Sequence, residues 1–248
     1  MVKDITPTFP PLLSGHGLAK DKVPMNWARS RAGKGKLAAG DLVWSRQTDY
    51  MRYALVLEPD VPRHRCGEMV FVAMTAFGDA AGALIPPEVA ITYQWPGCIL
   101  MNEGQIGYVD LIIAEEEADG VPDWMVLSID IQMKPDFEDL NPGENYHQTT
   151  MWDEGCGDMT RTELLESTAR HTLNAIHNWS EDGFRPVHEQ WTGRLSKENP
   201  VAVPISSDID RFIGLDESGN ALVSADEKNS DINLFEALSA LRSHRQNG

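Results

Sequence analysis

Val89-Ala90-Ile91-Thr92-Tyr93-Gln94-Trp95-Pro96-Gly97-Cys98-Ile99-Leu100 decides how the rest of this chain reads. Val89 to Tyr93 is β-prone, and Trp95-Pro96-Gly97 interrupts it, because proline has no N–H to give a ladder. Cys98 to Met101 and Tyr108 to Ala114 follow as a hairpin around Asn102-Glu103-Gly104, a good turn sequence. Three short strands in a row, joined without a crossover helix, point to an antiparallel sheet.

Upstream, Thr6 to Leu18 is rich in Pro and Gly and reads as an irregular lead-in. A short helix is expected over Pro24 to Ala32, ended by Gly33 and Gly35. Leu42-Val43-Trp44 and Tyr53 to Leu57 read as neighbouring strands, the second stopped by Glu58 to Pro62. Cys66 to Leu84 spaces Met69, Val70, Ala73, Phe77, Ala80 and Ala81 as one face of a helix, which Pro86-Pro87 ends.

Downstream, Glu115 to Gly120 is an acidic turn, Trp124 to Met133 alternates as a strand, and Lys134 to Gly143 is a loop. Thr160 and Glu163 form a capping box at the start of a helix that Gly183 stops. Phe184 to Leu195 reads as a second helix, with Val187 and Trp191 inward. Arg211 to Leu215 and Asn220 to Ser224 flank the turn Asp216-Glu217-Ser218-Gly219, and Leu234 to Leu241 is a small terminal helix. The order predicts a mixed α+β fold with a mostly antiparallel sheet. No GxGxxG or GxxxxGK[ST] argues for a doubly wound nucleotide fold.

With 38 acidic and 21 basic residues among 248, the formal net charge is −17. That field repels nucleic acid and anionic membrane, so neither is an expected partner. It suits an uncharged or basic partner surface, and equally an ordinary acidic soluble protein. The three cysteines, Cys66, Cys98 and Cys156, form no CxxC pair and support neither a zinc knuckle nor a disulfide framework. No leader pattern or membrane-length apolar run is present, and the cytoplasm is the expected compartment.

Val89 to Leu100 resembles the strand of biotin protein ligases that ends in a Lys-Trp-Pro-Asn-Asp motif. In that family a turn, a lysine and an apolar strand beginning near a glycine come next; here stand Asn102-Glu103-Gly104, Gln105 and Ile106-Gly107-Tyr108-Val109. Leu42 to Thr48 resembles the strand leading into the family's Gly- and Arg-rich loop, and Trp124 to Asp130 the strand carrying its Gly-Ile-Asn turn. Ile213 to Val223 is similar to its small SH3-like tail. The resemblance runs from about Leu42 to Val223 and is to the biotin/lipoate A/B protein ligase family. It implies a class II aminoacyl-tRNA synthetase/biotin synthetase-like fold, with residues 1–199 as the catalytic-type domain and 200–248 as a small β-rich domain.

The resemblance also implies a chemistry: ATP-dependent activation of biotin, lipoate or a related acyl group, then transfer to a lysine of a biotinyl or lipoyl carrier domain. ATP and Mg²⁺ are the implied cofactors if the chain is active, none otherwise, and a homodimer is compatible with it. By the family's pattern Gln94, Trp95, Pro96, Gly97, Gly107, Ser128 and Asp130 fall at ligand-binding positions, and Arg52 and Gln105 at catalytic ones. Phosphoryl and acyl-adenylate chemistry needs Lys, Arg or Mg²⁺ aimed at the developing charge. Here Gln94 replaces the motif lysine, Gln105 the later lysine, and Asp49-Tyr50-Met51-Arg52 runs straight into a strand where the Gly/Arg loop belongs. Weakened or lost activation is therefore expected, with a non-catalytic binder of a small acid or carrier domain as the alternative.

Other residues carry less. Cys98 closes the Trp-Pro motif and is a candidate nucleophile for an ATP-independent acyltransferase, although no His or Lys is near in sequence to activate it. Cys156 is flanked by acids that oppose a thiolate. His147 with Asp153 and Glu154 matches no metal spacing. Arg31-Ala32-Gly33-Lys34-Gly35-Lys36 reads as a basic helix end, or as a relocated phosphate loop on the wrong side of its strand.

Overall fold

A computed structural model describes residues 6–115, 120–135, 148–202, 205, 209–225 and 228–247. In chain order they form β1 (Ser14–Leu18), α1 (Pro24–Ala32), β2 (Asp41–Ser45), β3 (Tyr50–Leu57), α2 (Arg63–Cys66) and α3 (Glu68–Gly82). Next come β4 (Ile91–Gln94), β5 (Cys98–Met101), β6 (Gly104–Ile113), β7 (Met125–Gln132), α4 (Arg161–Asp182) and α5 (Phe184–Gly193). The tail adds β8 (Arg211–Leu215), β9 (Ala221–Ala225), β10 (Lys228–Ile232) and α6 (Leu234–Asn247).

The main sheet runs β1-β2-β3-β7-β6-β5-β4, and only the β1–β2 pair is parallel. This is the mixed α+β, mostly antiparallel architecture expected from the sequence. Alternation divides each central strand between two faces. Met51, Tyr53, Leu55, Leu127, Ile129 and Val109 pack with α3 and α4 in the principal core. Ala54, Val56 and Val126 face the other way and receive Met25, Ala28 and Ala32 of α1. α3 is buried almost all round, as its Ala- and Gly-rich faces require when sheet, α4 and α5 all press on it.

The α4 capping box is present as expected: Glu163 N–H donates to Thr160 Oγ1 at 3.2 Å, and Thr160 N–H to Glu163 Oε2 at 2.9 Å. The β5–β6 turn is tighter than expected. Asn102 and Glu103 take φ of 48° and 67°, so they alone form the two-residue hairpin turn and β6 already starts at Gly104.

Three elements correct the sequence reading. The lead-in contains β1, whose Gly15 and Gly17 lie where a Cβ would crowd the Phe9 ring and the Trp44 indole. β10 is a polar outer strand, Lys-Asn-Ser-Asp-Ile, with no alternation to betray it. The terminal helix runs past Leu241 to Asn247. Leu234, Ala237, Leu238 and Leu241 form its buried stripe, and Leu234, Ala237 and Leu238 join the principal core, as do Ala221 and Val223 of β9. The acidic turn and the Lys134 to Gly143 loop fall largely, and His147 wholly, outside the described residues.

Candidate functional site

Directly opposed residues in an antiparallel ladder share a face. On the α1 side, Arg52 opposes Asp130, Asp130 opposes Tyr108, Tyr108 opposes Cys98, and Cys98 opposes Gln94. One row across β3, β7, β6, β5 and β4 thus holds four of the residues singled out from sequence. The adjoining row holds Ala54, Ser128 and Asp110. Between Ile99 and Leu100 the β5–β6 register shifts, leaving Ile106 as an extra residue, so Gln105 pairs with Leu100 on the same side.

α1 covers one end of this face, and Leu241 of α6 packs with Cys98 and Ala202 at the other. The gap between the two helices is the candidate site. A cavity of about 240 Å³ lies over Arg52, Tyr108, Asp110, Ser128 and Asp130 and is closed by Val23 to Asn26 at the start of α1. A second, of about 500 Å³, includes Gln94, Leu100, Gln105, Gln148 and Asn199 in its wall. Arg245 lines both.

The charges on the floor are internally matched. Arg52 Nε lies 2.7 Å from Asp130 Oδ2, Arg52 Nη1 donates to Gln47 Oε1 at 3.2 Å, and the guanidinium stacks 3.7 Å from the Tyr50 ring centre. Burial works against the Arg52 charge, but the Asp130 carboxylate outweighs it and holds the guanidinium above its ordinary pKa. The Tyr108 hydroxyl donates to Asp130 Oδ2 at 3.0 Å; burial, then Asp130, push that phenol above its ordinary range. Asp110, nearly inaccessible, accepts Arg242 Nε and Nη2 at 2.8 and 2.6 Å and Arg245 Nη2 at 3.1 Å. Hydrogen bonding to Asp110 raises the Arg242 pKa against the effect of burial.

The remaining sequence candidates fall elsewhere. Trp95, expected to line the pocket, is instead fully buried in the principal core, where its indole N–H donates to Gly219 O at 2.9 Å. Strand alternation turns it away from Gln94. Pro96 is buried beside it, after a cis peptide bond. Gly97 and Gly107 are packing glycines: an added Cβ would meet the Val109 carbonyl at one and the Asp130 carbonyl at the other. Cys98 is on the right face but wholly covered, and burial pushes its thiol up to about 12 despite Arg245 nearby.

Neither of the two stretches considered as a phosphate loop is open as a cradle. Only Arg46 to Asp49 separate β2 from β3, and Asp49 O is tied to the Met133 and Lys134 amides at 2.8 and 3.2 Å. In the basic stretch after α1, the Gly33, Lys34, Gly35 and Lys36 amides all donate to carbonyls of α1, so none is free to cradle an anion. Among the described residues no group of three or more His, Cys, Asp or Glu side chains could hold a metal ion. Asp153 and Glu154 accept instead from the Thr150 and Thr149 hydroxyls, each at 2.7 Å. No helix among those residues is long and apolar enough to cross a membrane.

Sequence reasoning missed Tyr108, Asp110, Arg242 and Arg245. Asp110 was visible as a lone charge in the apolar run Val109 to Ile113, and Arg242 and Arg245 as a continuation of the α6 stripe, one turn past Leu238 and Leu241 respectively.

Residues 9–193 match the family model for the biotin/lipoate A/B protein ligase family. The chain belongs to that family. Over 173 residues it is 24% identical to a Paracoccus denitrificans biotin–[acetyl-CoA-carboxylase] ligase, spanning 66% of this chain and 70% of that one. A crystal structure of a biotin protein ligase-like protein of unknown function from Silicibacter sp. TM1040 superposes with a TM-score of 0.83 at 33% identity. It covers 94% of this chain and 99% of its own. The Aquifex aeolicus biotin protein ligase shares the fold, with a TM-score of 0.66 at 15% identity over 91% and 96% of the two chains. That ligase has also been solved in complex with biotin and ATP.

Proposed function

We propose that this chain is a divergent ligase-family protein that binds a small acid in the cleft between α1 and α6, with the ATP-dependent activation step weakened or lost. The acid is biotin, lipoate or a related acyl group, and a biotinyl or lipoyl carrier domain is the partner the family relationship suggests. One observation carries the reading: on the walls of the smaller cavity Arg52 is paired with Asp130 and Arg242 with Asp110, and Arg245 shares Asp110 with Arg242. Two of these three guanidinium charges are offset by Asp130 and Asp110, which leaves a single net charge to face a polyphosphate, and Gln94 and Gln105 bring none. Each such loss costs on the order of 10²-fold in rate, so several together leave little activation.

The ATP-free acyltransferase reading is weaker. Its nucleophile would be Cys98, whose thiol is held protonated by burial and has no base hydrogen-bonded to it among the described residues.

Titration calorimetry with biotin, lipoate and octanoate, each with and without ATP and Mg²⁺, tests the proposal. Binding of one acid is expected, with affinity unchanged by ATP and no acyl-adenylate in the mixture by mass spectrometry. Accumulation of an acyl-adenylate would overturn it.

A further inference from the structure

The two cavities meet at one side chain, Arg245, near the end of α6. Its Nη2 donates to Asp110 at 3.1 Å, and its Cζ lies 3.3 Å from the centre of the Tyr108 ring. Its Nη1 is buried and hydrogen-bonds to nothing among the described residues. Such an orphan donor is uncommon in a folded protein and is often explained by a partner that is not present. The charge count points the same way. Asp110 is one carboxylate facing two guanidiniums, Arg242 and Arg245, so this corner carries one positive charge in excess. Arg242 spends two nitrogens on Asp110 and Nη2 also donates to Leu111 O at 3.1 Å, which leaves Arg245 as the less committed of the two.

The larger cavity supplies the rest of a site. Gln94, Gln105 and Gln148 offer neutral donors and acceptors, and Leu100 and Leu241 an apolar wall. Glu103 is also there, but its two carboxylate oxygens accept from the Thr92 and Ser196 hydroxyls at 3.0 and 2.7 Å. Glu198 and Asp210 line the cavity as well, as do Arg211 and His244, so Arg245 is distinguished by its place between the two cavities and by its orphan Nη1.

We propose that Arg245 is the anion anchor of this cleft: it captures a carboxylate or phosphate oxygen of the bound ligand where the two cavities join. The C-terminal helix thereby supplies a positive charge that Gln94 and Gln105 do not. The identification of the anion as a small acid rests on the function proposed above; the anchor itself rests on the geometry of Arg245. Arg242 is a positioning residue, which holds Asp110 so that Arg245 need not neutralise it alone.

Calorimetry on the full chain separates these claims, using biotin, lipoate, octanoate, their neutral amides, and inorganic phosphate and pyrophosphate as probes. For the wild type, at least one acid is expected to bind ten-fold or more tightly than its amide. Arg245→Gln should weaken that acid at least ten-fold and leave the amide unchanged, and Arg245→Lys should recover part of the loss. An acid that binds Arg245→Gln as tightly as wild type, or an amide that matches its acid in the wild type, overturns the anchor while the small-acid reading stands. Phosphate or pyrophosphate binding that Arg245→Gln abolishes, with no acid bound, supports the anchor and overturns the small-acid reading. No binding by any anion overturns both. Because the acid–amide comparison uses the wild type, a variant that fails to fold does not remove the test.

Discussion

Arg52 and Asp130 oppose each other directly across β3 and β7, with Nε and Oδ2 2.7 Å apart and both side chains largely shielded from water. The pair lies on the floor of the smaller cavity, and the Tyr108 hydroxyl donates to Asp130 from the next strand. Sequence reading placed Arg52 with the catalytic candidates and Asp130 with the ligand contacts. In the fold they occupy each other.

Asp130→Asn leaves a shielded guanidinium without its counter-charge. The expected loss is about 1–3 kcal/mol, below that of a fully buried pair because both groups keep some solvent contact. Urea denaturation of the variant beside Arg52→Gln and the double variant measures it. A double variant no better than the sum of the singles would show that the pair contributes no coupling.

Gly107→Ala tests the close approach of β6 to β7. A methyl at this position meets the Asp130 carbonyl and the Ile131 side chain, and neither backbone can yield without breaking the ladder. The expected cost is about 3 kcal/mol or more. A variant that expresses and melts like wild type would refute the reading of Gly107 as a packing glycine.

Much of the architecture was legible because its signals are local. The α4 capping box, the alternation of β7 and the Asn-Glu turn each act within a few residues of themselves. β1 and β10 were not legible, since Gly-rich and polar strands owe their conformation to the neighbours they pair with. The site divides the same way. Period-two alternation puts Arg52, Ser128 and Asp130 on one face, whereas the contact of Arg242 with Asp110 joins positions 132 residues apart, and only the packing of α6 creates it.

Glu163 gives a pH-dependent handle on the fold. Hydrogen bonds from the Thr160 hydroxyl and then the Thr160 amide hold its carboxyl below the ordinary 4.5. A depressed pKa stabilises the folded state above the unfolded value, and that contribution is lost as pH falls through the folded value. Thr160→Ala should cost about 1 kcal/mol at pH 7. The stability difference between wild type and Glu163→Gln should shrink as pH drops below 4.5; a difference that grows on acidification would contradict the sign.

Burial holds the Cys98 thiol up at about 12 and that of Cys66 at about 11. Folded protein at pH 8 should therefore leave Cys98 unlabelled by iodoacetamide, with labelling appearing on unfolding, as read by peptide mass spectrometry. Rapid alkylation of Cys98 in the folded chain would revive the nucleophile reading.

Acid-dependent exchange of pyrophosphate into ATP is the direct measure of adenylating power. With biotin, lipoate and octanoate each supplied in excess with Mg²⁺, no exchange above the acid-free background is expected. The reason is that Gln94 and Gln105 carry no charge, and Arg52 and Arg242 are tied to Asp130 and Asp110. Robust exchange with any one of the three acids would contradict the account.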